Sequence, residues 1–111
     1  MWSAIHDSTI MLVWKGEETL GGVVIGSLER DFTEDMSAYI MKFYVEKELR
    51  GLGVAQELLQ AFDQEAFRMG AKMSFASSTA GMGEVNEKLY VRLFEQQGYN
   101  VLGRVLVKEL K

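Results

Sequence analysis

Apolar positions along the chain fall into runs of two different periods. Ile10-Met11-Leu12-Val13-Trp14 is a short apolar run that stops at the polar stretch Lys15-Gly16-Glu17-Glu18. A second run spans Leu20 to Leu28 and centres on Val23, Val24 and Ile25. Two β-rich runs joined by a short glycine turn predict an antiparallel hairpin. Gly21, Gly22 and Gly26 interrupt the second run, which predicts a bulge or the close approach of another backbone. Glu29 to Ser37 is a charged loop, and Ala38 to Val45 has the high β propensity of a third strand. Strict alternation would put Tyr39, Met41, Phe43 and Val45 on one face and Ile40, Lys42 and Tyr44 on the other.

The period then changes. Ala55, Leu58, Leu59, Phe62, Ala66 and Met69 follow the spacing of one buried helical stripe, which starts near Gly53 or Val54 and stops at Gly70. Lys72 to Thr79 alternates again and predicts a fourth strand, with Met73, Phe75 and Ser77 on one face. A second helix is expected over about Glu84 to Gln97, turning Leu89, Leu93 and Phe94 inward and ending at Gly98. The chain closes with a strand over Tyr99 to Leu110 that Gly103 bends or splits. The order β-β-β-α-β-α-β predicts an α+β fold, a mostly antiparallel mixed sheet covered by helices.

Length and composition narrow the function. The 111 residues make one domain, 1–111, with 48% hydrophobic and 25% charged residues, ordinary for a globular core. No apolar stretch is long enough to span a bilayer, so no membrane association is expected. Cysteine is absent and His6 is the single histidine, which excludes a thiolate zinc site, a cysteine nucleophile and a histidine-rich metal site. No metal is expected. The net charge of −4 argues against nucleic acid as a partner, since a basic patch supplies most of that affinity. Met1-Trp2-Ser3-Ala4 lacks the basic and apolar regions of a signal peptide, so an intracellular, cytoplasmic protein is expected.

The segment with the most chemistry is Phe43-Tyr44-Val45-Glu46-Lys47-Glu48-Leu49-Arg50-Gly51-Leu52-Gly53-Val54-Ala55. A strand runs into a glycine turn, and the turn opens a helix. The first amides of a helix have no partner within it and carry partial positive charge. Glycines let a ligand approach the backbone without meeting a Cβ. Together they make a cradle for a diphosphate. A P-loop is excluded, because Val54-Ala55 stands where Lys-Ser/Thr is needed, and a Rossmann fingerprint is excluded by Gln56 at its third glycine.

Arg50-Gly51-Leu52-Gly53-Val54-Ala55 resembles the pyrophosphate loop, Gln/Arg-x-x-Gly-x-Gly/Ala, of the GNAT acyl-CoA N-acyltransferases. Upstream, Phe43-Tyr44-Val45 stands where that family has an aromatic or apolar pair followed by Val. Downstream, Leu58-Leu59 resembles its paired leucines, and Leu93-Phe94-Glu95-Gln96-Gln97-Gly98-Tyr99 resembles the end of its last helix. The resemblance covers roughly Ile10 to Leu110.

This resemblance implies acetyl-CoA as cosubstrate, lying in a wedge between Tyr39–Val45 and Lys72–Thr79. Backbone groups of Phe43, Tyr44 and Val45 would pair with the pantetheine arm. Amides of Arg50, Gly51, Leu52, Gly53, Val54 and Ala55 would hold the diphosphate. It further implies transfer of an acetyl group to a primary amine by direct attack, which needs a base, an oxyanion donor and an acid for the thiolate.

Three departures from the family pattern bear on that reading. The family usually opens with a strand and two helices that wall the acceptor site. Here the hairpin starts by Ile10, so a homodimer or a partner protein is expected to complete the wall. Phe94 stands where many members have a tyrosine acid, and Tyr90, one turn earlier, is the candidate replacement. Tyr39 stands where the histone-acetylating branch has a glutamate base. The choice of base among Glu29, Asp31, Glu34 and Asp35 is left open.

Other residues have plainer readings. His6 is expected to be a flexible terminal residue, Lys42 either points into the cleft or snorkels from the sheet, and Phe94 is simplest as core. The acidic loop Glu29 to Asp35 is a solvated face that could attract a cationic amine. The edge of the C-terminal strand, Val101 to Leu110, is a candidate dimer contact. The alternative function is a catalytically inactive structural or interaction protein of the same fold, of the kind found in bacteriophage virions.

Overall fold

The computed structural model describes residues 2–6, 9–15, 20–30, 35–46, 53–77, 87–102 and 105–110, with the side chains of 2–6, 20 and 87–90 outside that description. Four strands come first: β1 (Trp2–His6), β2 (Thr9–Lys15), β3 (Leu20–Arg30) and β4 (Met36–Val45). Helix α1 (Val54–Arg68) leads into β5 (Ala71–Ser77), and helix α2 (Glu87–Gln96) leads into β6 (Asn100–Leu102) and β7 (Val105–Glu109). The strands form one sheet in the order β1-β2-β3-β4-β5-β7-β6. β4 and β5 are parallel, and every other neighbouring pair is antiparallel. A parallel pair needs a long crossover, and α1 supplies it.

This is the expected α+β architecture with two additions. Trp2–His6 is a strand and not a flexible end: it pairs with β2 from Trp2↔Val13 to His6↔Thr9. Five residues are too short a run to give a periodic signal, and the ladder offered by β2 decides the matter. At the other end the predicted split at Gly103 separates two strands, which pair with each other from Asn100↔Val107 to Leu102↔Val105.

The core lies between one sheet face and the two helices. Val54, Leu58, Leu59, Phe62 and Ala66 of α1 are buried against Ile10, Leu12, Val24, Leu28, Ala38 and Ile40. Each large side chain so buried contributes about 1.5–3 kcal/mol. Gly26 is where helix and sheet come closest: a Cβ there would run into the Phe62 ring and the Tyr39 carbonyl oxygen. Phe94 of α2 is fully buried and meets the Phe43 ring edge-on, with centroids 5.6 Å apart. Phe43 is the register partner of Val24, which alternates with Gly22 and Gly26 under α1. Both helices therefore lie on the same side of the sheet, and the Gln60 amide donates to the Gln97 carbonyl oxygen across 3.0 Å between them.

The alternation expected for β4 is overturned halfway along the strand. Ile25 pairs with Lys42, but Gly26 pairs with Ile40, so Met41 is an extra residue. Such a bulge shifts the phase of every side chain after it. Ala38 and Ile40 before it share the core face with Phe43 and Val45 after it. Tyr39, Lys42 and Tyr44 share the opposite face, and Met41 is 60% exposed. The glycine that predicted a bulge or a close approach is the site of both.

The second sheet face carries Met11, Val13, Val23, Ile25, Tyr39, Met73, Phe75, Val105 and Val107. Among the described residues no helix lies over it. No helix among them is long and apolar enough to cross a membrane.

Candidate functional site

The parallel register of β4 and β5 runs from Met36↔Ala71 to Ile40↔Ala76 and ends there. Beyond it β4 continues through Met41–Val45, re-aimed by the bulge. A cleft of about 450 Å³ opens where the two strands part, lined by Tyr39, Ile40, Phe75, Ala76, Ser77 and Val105. Tyr39 and Phe75 are register partners, and their rings stack at 5.2 Å with planes 15° apart.

The predicted cofactor residues divide into three groups. Phe43 and Val45 are fully buried in the core, so these residues can offer a ligand only their backbone. The side chain of Tyr44 is partly exposed on the helix-free face. Gly53 caps α1 in a left-handed conformation, φ 85° and ψ 0°, and the Glu57 amide donates to its carbonyl oxygen as the first helical bond, 3.0 Å. The amides of Val54 and Ala55 belong to the first turn, whose donors have no acceptor inside the helix. Among the described residues, a Cβ on Gly53 would meet nothing within 4 Å. Arg50, Gly51 and Leu52 lie outside the described residues.

The acid-base candidates are placed as follows. Phe94 is core, packed between Phe43 and the Tyr99 ring at 4.9 Å. Tyr90 is on α2, one turn before Phe94, and its side chain lies outside the described residues. Lys42 is exposed on the helix-free face and does not line the cleft. Ser78, Thr79, Asp31 and Glu34 lie outside the described residues, and Asp35 pairs with Lys72 at 3.1 Å. Among the described residues, no group of three His, Cys, Asp or Glu side chains could hold a metal ion.

One polar cluster escapes sequence reasoning. The Tyr99 hydroxyl lies 2.6 Å from Asp63 Oδ1 and 2.7 Å from Ser74 Oγ. A phenol has one proton, so with that proton on Asp63 the Ser74 hydroxyl donates to Tyr99. Lys108 Nζ donates to Asp63 Oδ2 across 3.0 Å. Burial pushes the Asp63 carboxyl above the ordinary aspartate range, against the pull of its bonds from Tyr99 and Lys108. Gly98, φ 95°, turns the chain out of α2, and the Tyr99 amide donates to the Phe94 carbonyl oxygen, 3.0 Å. That turn delivers the Tyr99 ring into the core. The signal available in the sequence was Asp63 itself, a carboxylate between Phe62 and Ala66 in an apolar stripe.

A mixed sheet whose two parallel strands part, joined by a glycine-capped helix, has the architecture of the acyl-transferring folds that the loop motif resembles. The profile of the Acetyltransferase (GNAT) family matches residues 1–99, and the chain belongs to that family. An acetyltransferase from Vibrio fischeri is 27% identical, with a TM-score of 0.59 over 64% of this chain and 62% of that one. This chain thus spans less than two thirds of that protein. An aminoglycoside acetyltransferase from an uncultured soil metagenomic sample is 23% identical, TM-score 0.73, over 87% of this chain and 64% of that one. PaiA N-acetyltransferase from Thermoplasma acidophilum, solved with coenzyme A, is 12% identical, TM-score 0.73, over 92% of this chain and 61% of that one. No protein with a curated description matches the chain.

Proposed function

We propose that the protein transfers an acetyl group from acetyl-CoA to a primary amine. The observation that carries this reading is the parting of β4 and β5 after Ile40↔Ala76, together with an α1 N-terminus capped by Gly53 in a left-handed conformation. Family membership and the coenzyme A held by the Thermoplasma neighbour support it. The residues fit such a ligand. The first-turn amides of Val54 and Ala55 offer donors to a diphosphate, and β4 beyond Ile40 offers backbone to an extended arm.

When bound, acetyl-CoA would supply a thioester. The amine nitrogen forms the new C–N bond with the thioester carbon as the C–S bond breaks, and the sulfur leaves with the electron pair. The proton lost by nitrogen ends on sulfur, giving an acetamide and free CoA thiol. Tyr90 is the proposed relay: its phenol gives a proton to that sulfur and is restored by the proton nitrogen loses. The cleft walls Tyr39, Phe75 and Val105 would exclude water from the reacting amine.

A second reading has one observation in its favour: Phe94, at the position of the usual tyrosine acid, is sealed in the core with no proton to give. In that reading the chain binds without transferring. Calorimetric titration of CoA, with thiol release measured on a panel of amines, separates the two. Binding with turnover supports the transferase, binding without turnover supports the second reading, and no binding at millimolar CoA overturns both.

A further inference from the structure

Resting on the transferase reading, we infer that the acceptor is a primary amine carried on a flat apolar or aromatic body and not a polycation. Of the described residues that line the cleft, only Ser77 and the Tyr39 hydroxyl offer polar side-chain groups. No carboxylate is among these described residues. Tyr39 and Phe75 stand side by side on the helix-free face, each turning one ring face to the other. What such a stacked pair presents outward includes ring edges, which carry the positive end of the aromatic quadrupole. Ring edges pack well on the face of an aromatic ligand. A cation is held by ring faces, and here each ring has one face occupied by its neighbour.

The surroundings extend the same chemistry. Val105 is 41% exposed where it lines the cleft, and its register partner Leu102 is 62% exposed on the same face. Apolar surface therefore continues from the cleft to the sheet edge. Lys42, on this face beyond the bulge, adds a positive charge. Among the described residues, the carboxylates nearest in register are Glu29, opposite Ser37, and Glu109, opposite Met73. Each lies one pleat back from Tyr39 or Phe75, away from the parting strands.

The test uses the whole chain with acetyl-CoA and five amines: 2-phenylethylamine, tryptamine, butylamine, spermidine and kanamycin. Thiol release and product mass report transfer, and ligand-observed NMR reports amine binding with and without CoA. The expected result is a kcat/KM for the aromatic amines about tenfold or more above that for spermidine and kanamycin. Tyr39→Ala and Phe75→Leu should raise KM for the aromatic amines with little change in kcat. Both variants should keep a single cooperative thermal unfolding transition, which shows that they fold. Preference for spermidine or kanamycin, lost in Glu29→Gln with Glu109→Gln, would overturn the inference and leave the transferase standing. Faster transfer from hexanoyl-CoA than from acetyl-CoA to butylamine would also overturn it, assigning the cleft to the acyl chain. Absence of CoA binding would overturn the transferase reading. Amine binding by NMR then decides the cleft's preference independently, and equal signals from phenylethylamine and spermidine would overturn it.

Discussion

The Tyr99 hydroxyl sits 2.6 Å from Asp63 Oδ1, joining the residue that follows α2 to the middle of α1. Ser74 of β5 and Lys108 of β7 bond to the same pair, so four separate elements meet at one phenol and one carboxylate. The family motif at this position resembles Gly-Phe, and the extra hydroxyl is explained by its partners. Tyr99→Phe removes the shared hydrogen-bonding group and leaves buried Ser74 and Asp63 each short of a bond. The expected cost is about 1–3 kcal/mol, read as a lower urea midpoint with unchanged slope. Ser74→Ala leaves the Tyr99–Asp63 bond in place and should cost less, about 0.5–1.5 kcal/mol. Equal stability of Tyr99→Phe and wild type would show that the cluster adds nothing.

The same carboxyl gives stability a pH dependence of definite sign. Burial raises the folded-state pKa of Asp63 above its unfolded value, so the folded protein holds the proton more tightly. Stability from this group then falls as pH rises from about 3.9 through the raised value, and levels off above it. Wild type should lose ground to Asp63→Asn across that window as the buried charge forms beside Lys108. Urea midpoints of both proteins at a series of pH values check this, and a gap that widens in favour of wild type with rising pH would contradict it.

Gly53 offers a test of the diphosphate cradle. Asn and Asp both tolerate its left-handed backbone better than other side chains, and none of the described residues blocks a Cβ within 4 Å. They are nearly equal in shape and differ by one charge. Gly53→Asn is expected to keep CoA affinity within about threefold, and Gly53→Asp to weaken it by about tenfold or more. Equal affinities in calorimetry would mean that the helix end does not face the phosphates.

Two sheet glycines are expected to differ in their tolerance of a methyl group. At Gly26 a Cβ meets the Phe62 ring and the Tyr39 carbonyl oxygen at 2.7 Å, whereas at Gly22 it meets the Leu58 Cδ1 methyl at 2.9 Å and the Tyr44 carbonyl oxygen at 3.0 Å. Overpacking costs about 1–3 kcal/mol, and the rigid ring should put Gly26→Ala above Gly22→Ala. Pairing Gly26→Ala with Phe62→Leu should recover part of the loss, a coupling that thermal melts of the double-mutant cycle would reveal.

Much of this architecture was legible in the chain. The stripe of Leu58, Leu59, Phe62 and Ala66 located α1, and the Arg50–Ala55 loop pointed to the family. Other features were not legible, for physical reasons. Ala38 to Val45 is almost wholly apolar or aromatic, so its residues carry no sign of which face each one takes. The bulge at Met41 is recorded in the opposing strand, by Gly26. Trp2–His6 owes its order to the ladder of β2. Tyr99 and Asp63 are far apart in the chain, and only the turn at Gly98 brings them together. The cleft's apolar character needed the register, because Tyr39 and Phe75 become neighbours only through the parallel pairing.

Only two residues separate His6 from Thr9, and those two are already register partners. The row of His6 and Thr9 continues across the sheet through Ser27 and Tyr39 to Phe75, so that pair lies level with the cleft. Chain spliced in between His6 and Thr9 begins and ends at points the sheet already holds together, and closing a longer loop costs little more entropy than closing a short one. The fold thus has a socket: helical hairpins of different make could be grafted there, each bringing its own roof to an otherwise unchanged cleft.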